Sequence, residues 1–269
     1  MLTGRLRHAR IAGSHCVMAA RPGRAGRVPL VLIHGAGGSV RHWRWVLRQL
    51  PGWFAPLAVD LPGHGDSGGP VPDDLDTAVA AVAAVIRQCY PGRPVAVAGH
   101  SMGGLVAIRL AAREPDLVSH LALVATAAQV RPHPELMRQI STGEVDDAFL
   151  RGSFSPHVGA DRVAVVADDL RRTHVLPGVT DLFGIRALDL TPDLGRITAP
   201  AVVVIADRDP VISPRRSRLM AAALGHAHTV VLPGGHYLHI ERPDAVTDAL
   251  VGLCRNAYPT VIAGEGIPR

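Results

Sequence analysis

Ten residues constrain this chain more than any others. Val95, Ala96, Val97 and Ala98 form an apolar run that stops at Gly99, His100, Ser101, Met102, Gly103 and Gly104. A strand that must turn at once into a helix forces its apex residue into a strained backbone conformation and needs small residues on both sides. Gly99 and Gly103 supply them. The spacing predicts a sharp strand-to-helix turn with the Ser101 hydroxyl above a sheet edge. The Met102 N–H, at the start of the helix, would point at any oxygen that gains charge nearby. Gly-x-Ser-x-Gly also arises by chance in a chain with 28 glycines, so the surrounding pattern has to decide.

That pattern alternates strand and helix. Residues 28–33 are an apolar run of the kind expected of a central strand buried on both faces, and they end in His34, Gly35, Ala36, Gly37, Gly38 and Ser39. A helix is expected over 40–50, a strand over 54–59, and a loop of turn formers from Asp60 to Ser67. A helix over 74–90 follows, with Asp73, Asp74 and Asp76 at its positive end. Next come a strand over 94–98, the serine turn, a helix over 102–113 and a strand over 117–125. Two short antiparallel strands, 5–9 and 14–20, precede all of this, with Ala12-Gly13 as their turn.

From 126 to 190 the alternation fails. Leu136, Met137 and Ile140, and then Val163, Val166, Ala167 and Leu170, recur at helical spacing between Pro-Gly and Thr-Pro breaks. The alternation resumes with a strand over 201–205, a helix over 214–224, a strand over 229–232 and a helix over 243–255. The expected fold is α/β: a mostly parallel central sheet flanked by helices, its core built from residues 1–125 and 191–256. A small helical lid over 126–190 and an extended or disordered tail over 257–269 complete it.

Composition narrows the function classes. The formal net charge is +5, but all 28 basic residues are arginines, scattered along the chain, and aromatics make up only 4%. That is not the clustered footprint of a nucleic-acid binder. No run approaches the ~20 apolar residues that span a membrane. Residues 1–10 lack the apolar stretch of a leader peptide, so a cytoplasmic location is expected. Cys16, Cys89 and Cys254 are far apart and in no metal-ligand spacing, and Gly35-Ala36-Gly37-Gly38 lacks the Lys-Ser/Thr ending of a phosphate loop. No metal or organic cofactor is expected, and oligomeric state is not legible.

A serine alcohol is a poor nucleophile unless a neutral imidazole takes its proton and an acid holds that imidazole in the right tautomer. Open α/β sheets collect their sites at the carboxyl ends of their strands. The strand near 201–205 runs into Ala206, Asp207, Arg208, Asp209 and Pro210, and the next runs into Pro233, Gly234, Gly235 and His236. Asp207 and Asp209 both qualify as the acid. His236 follows the loop glycines, whereas His226, His228 and His239 do not.

Five stretches in one order, covering residues 28–255, carry a resemblance. They are His34-Gly35-Ala36-Gly37-Gly38-Ser39, Asp60-Leu61-Pro62-Gly63-His64-Gly65-Asp66-Ser67, Gly99-His100-Ser101-Met102-Gly103-Gly104, Ala206-Asp207-Arg208-Asp209-Pro210, and Gly234-Gly235-His236 followed by Glu241-Arg242-Pro243. With them the chain resembles the α/β-hydrolase-fold proteins of the lidded esterase and lipase-like superfamily. The resemblance implies Ser101 as nucleophile, His236 as base, Asp209 as orienting acid, and the Ala36 and Met102 N–H groups as an oxyanion hole. Ala206 stands where glycine is commoner in that pattern. His34, His64 and His100 read as loop braces and Asp60 as a loop anchor.

The implied activity is hydrolysis of a small to medium, largely apolar carboxylic ester or lactone. His34, Gly35, Met137, Phe149, Phe154 and Phe183 are candidate pocket residues. The same residues on the same fold also serve lyases, cyclases, acyl transferases and C–C hydrolases, and non-catalytic ligand-binding members exist.

Overall fold

The computed structural model describes residues 7–18, 26–67, 69, 71–72, 74–129, 134–135, 138, 142, 144–173 and 188–255. Eight strands form one sheet: β1 (Arg7–Ile11), β2 (Ser14–Met18), β3 (Val28–Ile33), β4 (Phe54–Val59), β5 (Val95–His100), β6 (Val118–Val124), β7 (Ala201–Ala206) and β8 (Ala227–Leu232). Their spatial order is β1-β2-β4-β3-β5-β6-β7-β8. β1 and β2 are antiparallel to their neighbours, and every pairing from β4 to β8 is parallel.

Strand side chains alternate between two layers, as a period of two requires. Val31, Ile33, Val95, Val97, Leu121, Leu123, Val203 and Ile205 face one core. It is covered by α2 (Leu75–Cys89), α3 (Met102–Arg113) and, beyond them in the chain, the helix over Pro214–Leu224. Leu30, Leu32, Ala96, Ala98, Val124, Val202 and Val204 face the other, under α1 (Arg44–Gln49) and the C-terminal helix over Pro243–Arg255. In α3 every residue except Arg109 and Arg113 is buried, which makes it the central helix of the fold.

Between β6 and β7 lie α4 (Asp147–Gly152) and α5 (Ala160–Thr173), followed by the one-turn α6 (Thr191–Leu194). A lone bridge between Gln129 and Asp189, with Leu190 N–H donating to Ala128 O, ties the two ends of this stretch together. The apolar residues spaced along α5, among them Val166, Ala167 and Leu170, are buried on the first core. After β7 come α7 (Pro214–Leu224), α8 (Leu238–Glu241) and α9 (Pro243–Arg255).

Boundaries differ from the sequence reading where local chemistry intervenes. The expected helix over 40–50 is a 3-10 turn, Val40–Trp43, capped by the Ser39 hydroxyl accepting from Arg41 N–H, and only then α1. A one-turn α8 precedes the helix expected over 243–255; Pro243 disfavours a helical residue 242, so Arg242 (φ −129°) separates α8 from α9. The β1–β2 turn has both central residues at positive φ, Ala12 at 48° and Gly13 at 84°, the geometry that matches the twist of paired strands. Leu136, Met137 and Ile140, and the tail beyond 255, lie outside the described residues.

Gly252 sits in α9, exposed, with no atom within 4 Å of where a Cβ would be. Gly252→Ala is therefore expected to stabilise the fold by about 0.5–1 kcal/mol, read as a higher urea midpoint.

Candidate active site

Ser101 is the apex between β5 and α3 and has φ 51° and ψ −117°, one of three described non-glycine residues at positive φ. Its neighbours show why the turn needs glycine. A Cβ on Gly99 would collide with the Gly103 carbonyl, and one on Gly103 with the carbonyls of Ile33 and His34. The strained apex is held from three sides: its N–H donates to Val124 O (3.1 Å), while its carbonyl accepts from Thr126 Oγ1 (2.7 Å) and Gly104 N–H (2.9 Å). Gly103→Ala is expected to destabilise the fold by about 3 kcal/mol, measured by denaturant unfolding.

The loop after β3 comes up beside this serine. Gly38 N–H donates to Gly35 O (3.1 Å), closing a turn with Ala36 and Gly37 (φ 66°) at its centre. A Cβ on Gly35 would stand 3.2 Å from Ser101 Cβ and 2.8 Å from His100 Nδ1, so the backbone of the turn rests on the apex. Ala36 N–H is outside the turn's own hydrogen bond, and Met102 N–H, at the first position of α3, has no helical acceptor. His34 braces the loop: Nδ1–H donates to Gly35 O (2.8 Å) and Nε2 accepts from Leu61 N–H (3.0 Å). Burial lowers its pKa to about 4, so it stays neutral.

From β8, the loop through Pro233, Gly234 and Gly235 delivers His236, 2% exposed. Its Nδ1 lies 2.9 Å from Asp209 Oδ2. Asp209 is held in turn by Val211 and Ile212 N–H groups on Oδ1 (2.8 and 2.9 Å). Asp207 points elsewhere, taking Gly234 N–H (3.0 Å) and the Arg208 guanidinium (3.3 Å). Among the described residues neither His236 Nε2 nor Ser101 Oγ has a hydrogen-bond partner; each is left available.

Ser153, Phe154 and Glu241 secure the His236 loop, and of these the sequence singled out only Phe154, as a candidate pocket residue. His236 N–H donates to Ser153 O (2.8 Å), and Phe154 stacks on Tyr237 (4.6 Å between rings), so the end of α4 touches the histidine directly. Glu241 accepts from Gly235 N–H (3.1 Å) and Ser155 N–H (2.9 Å). Glu241 belongs to a stretch that had been noticed, yet its role depends on a contact 86 residues away. His100 Nε2–H donates to the His236 carbonyl (3.0 Å), and burial holds His100 and His239 neutral, well below the ordinary histidine pKa.

Of the other expected residues, Asp60 anchors its loop, accepting from Val40 N–H (2.6 Å) and Asp66 N–H (2.9 Å) with His15 Nδ1 at 2.7 Å. Phe149 is half-buried against the first core and Phe154 is buried. Met137 and Phe183 lie outside the described residues. Among those residues no helix is long and apolar enough to cross a membrane.

An eight-stranded, mostly parallel sheet flanked by helices, with Ser101, Asp209 and His236 each following the carboxyl end of one of its strands, is the α/β-hydrolase arrangement. A sequence profile described as the alpha/beta hydrolase family matches residues 30–249, and the chain belongs to that family. It is 31% identical over 218 residues to a pimeloyl-[acyl-carrier protein] methyl ester esterase of Neisseria meningitidis serogroup C, covering 75% of this chain and 83% of that one. A putative carbamate hydrolase RutD of Agrobacterium fabrum is 26% identical, covering 82% and 91% of the two chains. The crystal structure of the enol-lactonase from Burkholderia xenovorans LB400 superposes with a TM-score of 0.79 at 26% identity, over 92% of this chain and 99% of that one.

Proposed function

We propose that the protein is a serine hydrolase that opens a small to medium, largely apolar carboxylic ester or lactone through an acyl-enzyme. The observation that carries this reading is the Asp209–His236 pair, on the loop that His100, next to Ser101, holds by its backbone. Asp209 fixes the proton on Nδ1, which leaves Nε2 basic. With substrate bound, His236 Nε2 takes the Ser101 proton as Oγ attacks the carbonyl carbon. The C–O π pair moves onto oxygen, where the Ala36 and Met102 N–H groups meet it. Each such donor is worth about 3–4 kcal/mol of barrier. His236 then protonates the leaving alkoxide, and a water deprotonated by His236 frees the acid.

The stretch 126–190, with the core formed by 1–125 and 191–256, serves as a lid. Phe149, Phe154, Met137 and Phe183 are the candidates for the wall that meets the acyl chain. The esterase and lactonase among the similar proteins support ester chemistry.

Short-chain nitrophenyl esters and a fluorophosphonate probe test the reading. Turnover is expected, with label on Ser101, and kcat in Ser101→Ala lower by on the order of 10⁶-fold. No turnover and no label on Ser101 would sink it, and activity that survives Ser101→Ala would point to a His236-led elimination instead.

A further inference from the structure

Asp169 is a carboxylate on α5, 2% exposed, that no catalytic step above uses. Three of its partners follow the Gly35–Gly38 turn, some 130 residues away in the chain: Ser39 Oγ–H donates to Oδ2 (2.6 Å), Arg41 Nη1 to Oδ1 (2.7 Å), and His42 Nε2 lies 3.2 Å from Oδ2. Burial alone would push this carboxyl up, but the close His42 imidazole, the Ser39 hydroxyl and the Arg41 guanidinium outweigh it and hold it down at about 2, so it is ionised. Taking an ion of this kind out of water is costly, which an apolar residue pinning α5 to the core would avoid.

The partners of Asp169 lead to the reaction centre. The His42 ring lies directly against Gly38, where a Cβ would stand 2.8 Å from Nδ1. Gly38 N–H closes the turn that carries Ala36, and Gly35 of the same turn rests on Ser101 Cβ. Ser39 Oγ, while donating to Asp169, accepts Arg41 N–H and so sets where the 3-10 turn begins. We infer that Asp169 is a positioning residue for the oxyanion hole: through Ser39 and His42 it fixes the turn that presents the Ala36 N–H. The inference rests on the hydrolase reading and deepens it, because it makes the insertion part of the catalytic geometry as well as a cover.

A misplaced oxyanion donor weakens the transition state and leaves ground-state binding alone. In Asp169→Asn, kcat per active site, titrated with fluorophosphonate, is expected to fall between about 10- and 100-fold with KM within about twofold. The Ki of a trifluoromethyl ketone matched to the ester's acyl chain, which forms a tetrahedral adduct on Ser101, should rise by the same factor. Ser39→Ala, assayed the same way, carries the test if Asp169→Asn does not fold. A purely structural Asp169 would lower the melting temperature or the titrated fraction while kcat per site and Ki stayed put; that result, or a rise in KM alone, overturns the inference. Wild type that neither turns over esters nor labels at Ser101 overturns the hydrolase reading itself, and this inference with it.

Discussion

Asp209→Asn is expected to lower kcat on a nitrophenyl ester by about 10⁴-fold while leaving the denaturation midpoint nearly unchanged. The local hydrogen bonds dictate why. Val211 and Ile212 N–H groups both donate to Oδ1, so an asparagine must keep its oxygen there and turn its NH₂ toward His236. That amide donates to Nδ1, and the ring proton moves to Nε2, the nitrogen that has to accept from Ser101. The loop survives and the tautomer is wrong. Asp207→Asn is the contrast: its oxygen still takes Gly234 N–H, the side chain is 41% exposed, and kcat should stay within about threefold of wild type. Steady-state kinetics of the two variants side by side decide the matter. Equal losses, or a loss at Asp209 of less than about tenfold, would remove Asp209 from the orienting role.

The same pair of aspartates shows what could be read from the sequence. Both stand at the end of a strand, and strand ends were legible, because runs such as Val28–Ile33 and Ala201–Ala206 are apolar on both faces and leave few other placements. The turn at Ser101 was legible for a steric reason: only glycine fits where the Gly103 backbone presses on Ile33 and His34. Which aspartate meets the imidazole was indicated only by the resemblance, which implies Asp209; the residues alone leave Asp207 open, because the choice depends on the backbone path from Asp209 to Ile212, over which two N–H groups converge on one oxygen.

Asp169 was less legible still. It lies three residues after Val166 and shares the buried face of α5, where sequence patterning expects an apolar residue, and its partners are supplied by a different loop. Ser153 acts through its carbonyl, which side-chain identity does not encode. The helical stripe of the insertion was visible, but the grip of that insertion on both the histidine loop and the oxyanion-side turn was not.

Stability is expected to collapse as the pH falls from 6.5 toward 5, and buried histidines are the cause. Burial lowers the pKa of His34 to about 4 and of His64 to about 3, and pushes His100 and His239 well below the ordinary value. Folding thus favours the neutral form of all four. Above pH 6.5 both folded and unfolded chains hold them neutral, so nothing is lost. Below it the unfolded chain binds protons that the folded chain refuses, and each histidine costs about 1.4 kcal/mol per pH unit until its own folded value is reached. Four together give a limiting slope of about 5.6 kcal/mol per unit, comparable across a single unit with the whole stability of a typical domain. Asp169 adds to the loss only lower, between about pH 4 and 2, where its depressed carboxyl is finally protonated. Urea unfolding at pH 7.5, 6.5 and 5.5 should show a free energy that falls only slightly over the first step and steeply over the second. In His64→Gln the slope should ease by about one proton, because a glutamine at that buried position has nothing to titrate. A stability that stays level from pH 7.5 to 5.5 would mean that these imidazoles take up protons inside the fold, and that their burial is not the dry enclosure that the packing of His100 against His239 and His236 describes.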